Sequence, residues 1–285
     1  MGLLGNAYRK NKYVCSFSHW ILHRNNILIP VDGGNVREFI ISIKERIIQF
    51  VNQLHYGEPS GTIDNKIDYT NFKNPKEAME WGRKYYQQWG ENYKVAVNNI
   101  PKNLFKNPIL EDTILLYSGQ GYKEINKLLR EKEENGMEQS EKKDYREASD
   151  ILSLVLLLAP RIPCNIIVFR MVNDSFIKDL IEKNKKLEPI QEKGFMSTSL
   201  LPNISRVDQS YAREKNMLKI FVPKGTVGIY VNAIRRAKDF YSDAHSPNDS
   251  EEEMLLLRNM GLRLVEYPYR DNDIGKIIYE CLLIP

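Results

Sequence analysis

The stretch Gly194-Phe195-Met196-Ser197-Thr198-Ser199 is a short apolar segment that ends in three hydroxyl residues. Further along the chain, Glu251-Glu252-Glu253-Met254-Leu255-Leu256 places a carboxylate cluster at the start of another apolar segment. Both segments are predicted to be strands. On an extended backbone, the side chains of Glu251 and Glu253 would leave the same face. Same-face carboxylates beside hydroxyl groups are suited to cleaving a glycosidic bond and presenting a nucleophile.

The rest of the chain divides into a helical part and a strand-rich part. Apolar residues at helical spacing predict helices over residues 40–54, 74–90, 123–134 and 144–158. After Pro163 the pattern favours short strands, at residues 165–170, 194–198, 217–222, 227–231, 253–258, 262–267 and 277–283, with one helix at residues 176–185. Helices followed by a run of strands indicate an α+β protein with antiparallel or mixed sheets.

Composition excludes several classes of protein. The 285 residues carry a formal net charge of +4. Because this charge is spread along the chain, no nucleic-acid partner is predicted. No run approaches the roughly 20 apolar residues of a membrane span. Residues 1–12 lack an apolar core and a cleavage site, so a secretory signal is absent or was removed. The cysteines and histidines show no metal-ligand spacing, so no metal is predicted.

Arg170, Ser197-Thr198-Ser199 and Glu251-x-Glu253 together resemble the Arg / Ser-Thr-Ser / Glu-x-Glu signature of mono-ADP-ribosyltransferase toxins. The resemblance is to the enzymatic components of clostridial and bacillary binary toxins in particular. Residues 117–126, 221–230 and 282–285 are also similar to segments of that family, in the same order. The resemblance implies the ADP-ribosyltransferase fold, with two roughly perpendicular antiparallel sheets, NAD in the cleft and helices on the N-terminal side. It covers residues 65–285, the expected catalytic domain. Residues 1–60 would be a helical extension without an assigned role.

The resemblance also implies roles for the motif residues. Glu253 would stabilise the positive charge that develops on the ribose as nicotinamide leaves. Ser197 would hydrogen-bond and orient Glu253, while Thr198 and Ser199 would hold the strand and the pocket wall. Arg170 would bind the NAD phosphates with its planar cationic fork.

Further residues are expected around the cofactor and the acceptor. Tyr117, Tyr122 and Asn126 would line the dinucleotide, and Arg213 is a candidate for a second phosphate-binding arginine. Glu251 in this position accompanies arginine modification in the family, because a carboxylate pairs with a guanidinium and helps remove its proton. A different register would make Glu252 catalytic, with Ser250 as its partner; Glu253 is preferred because it abuts the apolar strand.

The implied function is a secreted toxin that acts in the host cytosol, cleaves NAD and transfers ADP-ribose to an arginine of a host protein. Actin is a candidate target. However, the loop of residues 234–251 is longer than in the binary toxins, and its Phe240 and Tyr241 are candidates for target recognition. Three alternatives stay open: a small GTPase of the Rho type as acceptor, water as acceptor in an NAD glycohydrolase, or an inactive binding module. A separate translocation component is a further candidate partner.

Overall fold

The computed structural model describes residues 36–64, 66–101, 104–130, 137–203, 213–235 and 252–285. The chain forms two compact units, Met1–Val51 and Asn52–Pro285. Helix α1 (Val36–Tyr56) contains the boundary between these units. It was predicted from its apolar spacing, yet apolar side chains such as Ile47 and Ile48 are 51% and 60% exposed. No helix in the described ranges is long and apolar enough to cross a membrane.

The helices of the second unit precede most of its strands, as predicted. Asn74 caps the next helix by accepting a hydrogen bond from the backbone N–H of Glu77, and Pro75 follows at the first helical position. A short 3₁₀ turn spans Pro108–Leu110, and a wide helical turn spans Tyr117–Gly121. Gly119 interrupts that turn with a non-helical backbone conformation. The helices are α2 (Pro75–Asn98), α3 (Thr113–Leu116), α4 (Tyr122–Arg130) and α5 (Gln139–Leu158).

The strands of the described residues form one nine-stranded sheet. In chain order the remaining elements are β1 (Ile166–Val172), α6 (Asp174–Lys185), β2 (Ile190–Glu192), β3 (Met196–Ser199), β4 (Asn216–Val222), β5 (Gly228–Tyr230), α7 (Asn232–Arg235), β6 (Glu253–Leu256), β7 (Met260–Leu264), β8 (Tyr269–Asp271) and β9 (Lys276–Ile284). Their order in the sheet is β2-β7-β9-β4-β1-β3-β6-β5, with β8 paired to β9. The predicted α+β class is confirmed.

Few hydrogen bonds join β1 to β3, and this joint divides the sheet into a wide part (β2, β7, β9, β4, β1 and β8) and a narrow part (β3, β6 and β5). These strands share the register pair Phe169–Ser199, whereas β1 and β4 pair over their whole length. The two antiparallel sheets expected from the resemblance therefore correspond to two parts of one hydrogen-bonded network. One pair also differs from the expectation, since β4 and β9 run parallel. Strand β9 lies between β7 and β4 and is antiparallel to β7.

Apolar clusters hold the helices against the sheet. One cluster includes Leu180 of α6 and runs across both parts of the sheet, from Val168 on β1 to Leu256 on β6. Another joins α4 and α5 to the narrow part through Ile125, Leu152 and Leu255. Helix α2 approaches β5 closely, because a Cβ atom at Gly82 would lie 2.2 Å from the Tyr230 ring. The helices therefore hold in place the strands that carry the predicted site residues.

Candidate active site

Three of the predicted site residues lie together where β1, β3 and β6 are neighbours in the sheet. Arg170 is on β1, Ser197 on β3 and Glu253 at the start of β6. The Ser197 hydroxyl donates a hydrogen bond of 2.6 Å to Oε1 of Glu253. Nη1 of Arg170 donates to the backbone carbonyl of Ser197 at 3.2 Å. A guanidinium, a hydroxyl and a carboxylate therefore meet where three adjacent strands converge.

The backbone before β6 separates the roles of the neighbouring glutamates. Glu252 is 1% exposed, and its carboxylate accepts a hydrogen bond from the Tyr230 hydroxyl. Glu253 instead contacts Ser197. The φ angle of Glu252 is 47°, in the left-handed region, so the strand begins after it. The same-face argument for Glu251 and Glu253 assumed an extended backbone at Glu252, and that assumption is wrong. Glu251 itself lies outside the described residues.

The other two hydroxyls of the Ser-Thr-Ser motif bond to the backbone. Oγ1 of Thr198 donates to the carbonyl of Met254 at 2.8 Å, which ties β3 to β6. Oγ of Ser199 accepts from the backbone N–H of Leu201 at 3.0 Å. Both side chains are buried. These contacts fit residues that hold the strand and the turn after it.

Tyr117 and Asn126 brace the residue that precedes β3. The Asn126 amide oxygen accepts from the N–H of Phe195 at 2.9 Å, and its Nδ2 donates to the Tyr117 hydroxyl at 2.8 Å. The Tyr117 hydroxyl donates to the carbonyl of Phe195 at 3.1 Å. Burial raises the pKa of Tyr117 well above its usual value, so the phenol stays protonated and able to donate. Both side chains are buried here, whereas Tyr122 is partly exposed.

Two charged residues that the sequence reasoning missed adjoin Arg170. The Glu192 carboxylate is 4% exposed and forms a two-bond fork with Arg130, Nε to Oε1 at 2.9 Å and Nη2 to Oε2 at 3.0 Å. Nη2 of Arg170 lies 3.9 Å from the same Oε2 atom. Arg130 ends α4, and Glu192 ends β2. The available sequence signal was an acidic residue close before the Gly194 turn, which spacing alone does not distinguish from a solvated charge.

The remaining predicted residues are not brought into this cluster by any contact that the structure describes. Arg213 is exposed, shortly before β4 begins. Phe240 and Tyr241 lie outside the described residues. Within the described ranges, no group of three or more histidine, cysteine, aspartate or glutamate side chains is arranged to hold a metal ion.

The family model of the ADP-ribosyltransferase exoenzymes matches residues 78–283. This match covers more than half of the chain, and the protein therefore belongs to the ADP-ribosyltransferase exoenzyme family. A comparison with curated proteins found no match.

Several solved structures are similar in fold. BECa, an ADP-ribosylating toxin of a binary enterotoxin of C. perfringens solved with NADH, is 24% identical, with a TM-score of 0.53. The alignment covers 76% of this chain and 50% of BECa, so this chain spans about half the length of that protein. Plx2a, an ADP-ribosyltransferase toxin from Paenibacillus larvae, is 19% identical with a TM-score of 0.50, over 79% of this chain and 100% of Plx2a. C3stau2 from S. aureus, solved with NAD, is 17% identical with a TM-score of 0.50, over 76% of this chain and 99% of its own. The expected ADP-ribosyltransferase fold is confirmed.

Replacing Asn126 with alanine should destabilise the protein by about 2 kcal/mol or more, because the buried N–H of Phe195 would lose its acceptor and the Tyr117 hydroxyl would lose one hydrogen bond. Chemical denaturation monitored by circular dichroism measures this change in the free energy of unfolding. Asn92→Ala, which removes an exposed amide on α2, serves as the control and should change stability by less than about 0.5 kcal/mol. Equal effects of the two substitutions would contradict the bracing role of Asn126.

Proposed function

We propose that this protein is a toxin that cleaves NAD, releases nicotinamide and transfers ADP-ribose to an arginine of a host protein. The observation that carries the proposal is the hydrogen bond between Ser197 and Glu253 beside Arg170. Membership of the ADP-ribosyltransferase exoenzyme family supports the same chemistry. The dinucleotides in the BECa and C3stau2 structures agree with NAD as the co-substrate.

The proposed reaction begins with cleavage of the bond between the ribose C1′ and the nicotinamide nitrogen. The bonding electrons leave with nicotinamide, which becomes neutral, and the ribose acquires oxocarbenium character. Glu253 is 5% exposed, so its carboxylate has little contact with water, and electrostatic stabilisation of this positive charge would be strong there. Ser197 donates to Oε1 of Glu253 and fixes the orientation of the carboxylate.

Arg170 and Arg130 would bind the pyrophosphate. Both guanidinium groups approach the Glu192 carboxylate, so two cations lie close together next to the Ser197–Glu253 pair. Guanidinium groups bind phosphate oxygens through paired hydrogen bonds. The Arg130 side chain is 42% exposed and the Arg170 side chain 17%, which leaves part of each surface accessible to a ligand. Arg130 would thus be a phosphate-binding arginine that the sequence reasoning did not name, and Tyr122 and Arg213 remain proposed contacts to NAD.

The acceptor is proposed to be an arginine because of Glu251. A carboxylate near the attacking guanidinium would accept its proton as the new bond to C1′ forms. The target protein would be recognised by Phe240 and Tyr241, with actin as the candidate suggested by the binary-toxin resemblance. A small GTPase remains the alternative protein target, and water the alternative acceptor. The chain would act in the cytosol of the host cell after delivery by a translocation partner.

Glu253→Gln should lower the rate of nicotinamide release from NAD by about 100-fold or more, because a neutral amide cannot stabilise the ribosyl cation. Chromatographic measurement of nicotinamide checks this, both without an acceptor and in a eukaryotic lysate. Glu266→Gln, an exposed glutamate in the same unit, is the control and should retain the wild-type rate. If wild type and Glu253→Gln consumed NAD equally, the proposed mechanism would be wrong.

Glu251→Gln should separate cleavage of NAD from transfer. Release of nicotinamide in the absence of an acceptor is expected to stay within about threefold of wild type, while labelling of host protein from radiolabelled NAD should fall by about 100-fold. Mass spectrometry of the labelled band identifies the modified residue. Undiminished arginine labelling by Glu251→Gln would contradict the acceptor role, as would a modified residue other than arginine on the wild-type target.

A further inference from the structure

We propose that Glu192 is a positioning residue for NAD binding, which fixes Arg130 and Arg170 relative to the Ser197–Glu253 pair. The inference rests on the proposed function, because it assumes that the two arginines bind the phosphates of NAD. Glu192 itself would not touch the reacting atoms. Its effect would pass through the two guanidinium groups and through the turn that leads into β3.

The contacts of Glu192 link three elements that carry the site. Its carboxylate holds Arg130 at the end of α4 through two parallel bonds and lies 3.9 Å from Arg170 on β1. Oε1 also accepts from the backbone N–H of Gly194 at 2.8 Å, immediately before β3. One carboxylate therefore sets the positions of both cations and of the chain segment that presents Ser197.

The fit around this carboxylate is tight. A Cβ atom at Gly194 would lie 3.3 Å from Oε1 of Glu192 and 2.5 Å from the amide oxygen of Asn126. The backbone of Glu192 is fixed as well, because the residue pairs with Met260 in β7 and its carbonyl accepts from the N–H of Asn259 at 2.9 Å. The carboxylate has little freedom to follow a displaced arginine, so the arginines adopt the geometry that Glu192 imposes.

The charge of Glu192 is required for this arrangement. Two guanidinium groups near one another repel, and a carboxylate between them offsets the repulsion. A buried carboxylate is stable when it is paired and hydrogen-bonded, as it is here. In the fork Arg130 uses Nε and Nη2, so Nη1 takes no part in it and can face a phosphate. A glutamine at this position would present N–H groups to one of the arginines instead of an acceptor.

The test compares Glu192→Gln with Glu280→Gln. Glu280 also pairs with a cation within the sheet, since its Oε1 lies 2.9 Å from Nζ of Lys219, and its side chain is 15% exposed. Lys219 pairs with Phe169 and Glu280 in the ladder, whereas Arg170 pairs with Leu218. Because neighbouring residues alternate between faces, Glu280 lies on the sheet face opposite to Arg170. Both substitutions remove one carboxylate from an ion pair, but one of them is remote from the site.

Glu192→Gln is expected to raise KM for NAD in nicotinamide release by about tenfold, while kcat changes by less than about threefold. This split is expected because phosphate binding is weakened and the Ser197–Glu253 pair is retained. Glu280→Gln should lower thermal stability about as much as Glu192→Gln does, but it should leave both KM and kcat unchanged. If the wild type releases nicotinamide and Glu192→Gln has the same KM for NAD, the positioning role of Glu192 is wrong, while the proposed function is not affected. A wild type that releases no nicotinamide would overturn the proposed function and this inference with it.

A double-mutant cycle with Arg130→Gln tests whether Glu192 acts through that arginine. If it does, the rise in KM of the double variant should be well below the product of the two single rises. Fully multiplicative effects would contradict the coupling. Should Glu192→Gln fail to fold, Glu192→Asp provides the second variant: it retains the charge but shortens the reach, so the fork should weaken and KM should rise. An unchanged KM in a folded Glu192→Asp variant would count against the proposal.

Discussion

The pairing of strand β3 is the constraint on which the site depends. On one side β3 pairs with β6 along its length, and on the other it meets β1 through the Phe169–Ser199 pair. This narrow joint brings the side chain of Arg170 within reach of the Ser197 carbonyl and leaves the Ser197 hydroxyl free to orient Glu253. If β3 shifted by one residue, its hydroxyls would move to the opposite face. The register of four residues therefore determines whether the guanidinium and the carboxylate meet.

The structure holds that register with buried polar side chains from outside β3. Asn126 and Tyr117 occupy both hydrogen-bonding groups of the Phe195 backbone, while Glu192 binds the N–H of Gly194. Buried polar groups of this kind stabilise one arrangement strongly, because any shift leaves them without partners. The same side chains connect α4 to the strands, so the helical part of the unit contributes directly to the geometry of the site.

Sequence reasoning named three residues that the structure brings together, Arg170, Ser197 and Glu253, and missed the charged residues around them, for physical reasons. Local apolar patterns predicted the strands that carry Ser197 and Glu253, and the family resemblance then implied the roles of these two residues. The Arg130–Glu192 fork was not predictable, since its partners are 62 residues apart and no period relates them. Strand β2 has three residues, too few for an alternating pattern. Helix α5 begins at Gln139 instead of the predicted residue 144, because residues 139–143 are all polar and show no apolar period. The same-face argument for Glu251 and Glu253 was wrong because Glu252 has a left-handed backbone, which residue spacing does not reveal.

A crystal structure of the protein with NADH, a dinucleotide that lacks the cationic nicotinamide leaving group, tests the central claim most directly. The account predicts that a ribose hydroxyl next to the nicotinamide lies within hydrogen-bonding distance of the Glu253 carboxylate, and that the pyrophosphate contacts Arg170 and Arg130. Binding of NADH at a position remote from Glu253, or no binding at millimolar concentration, would contradict it.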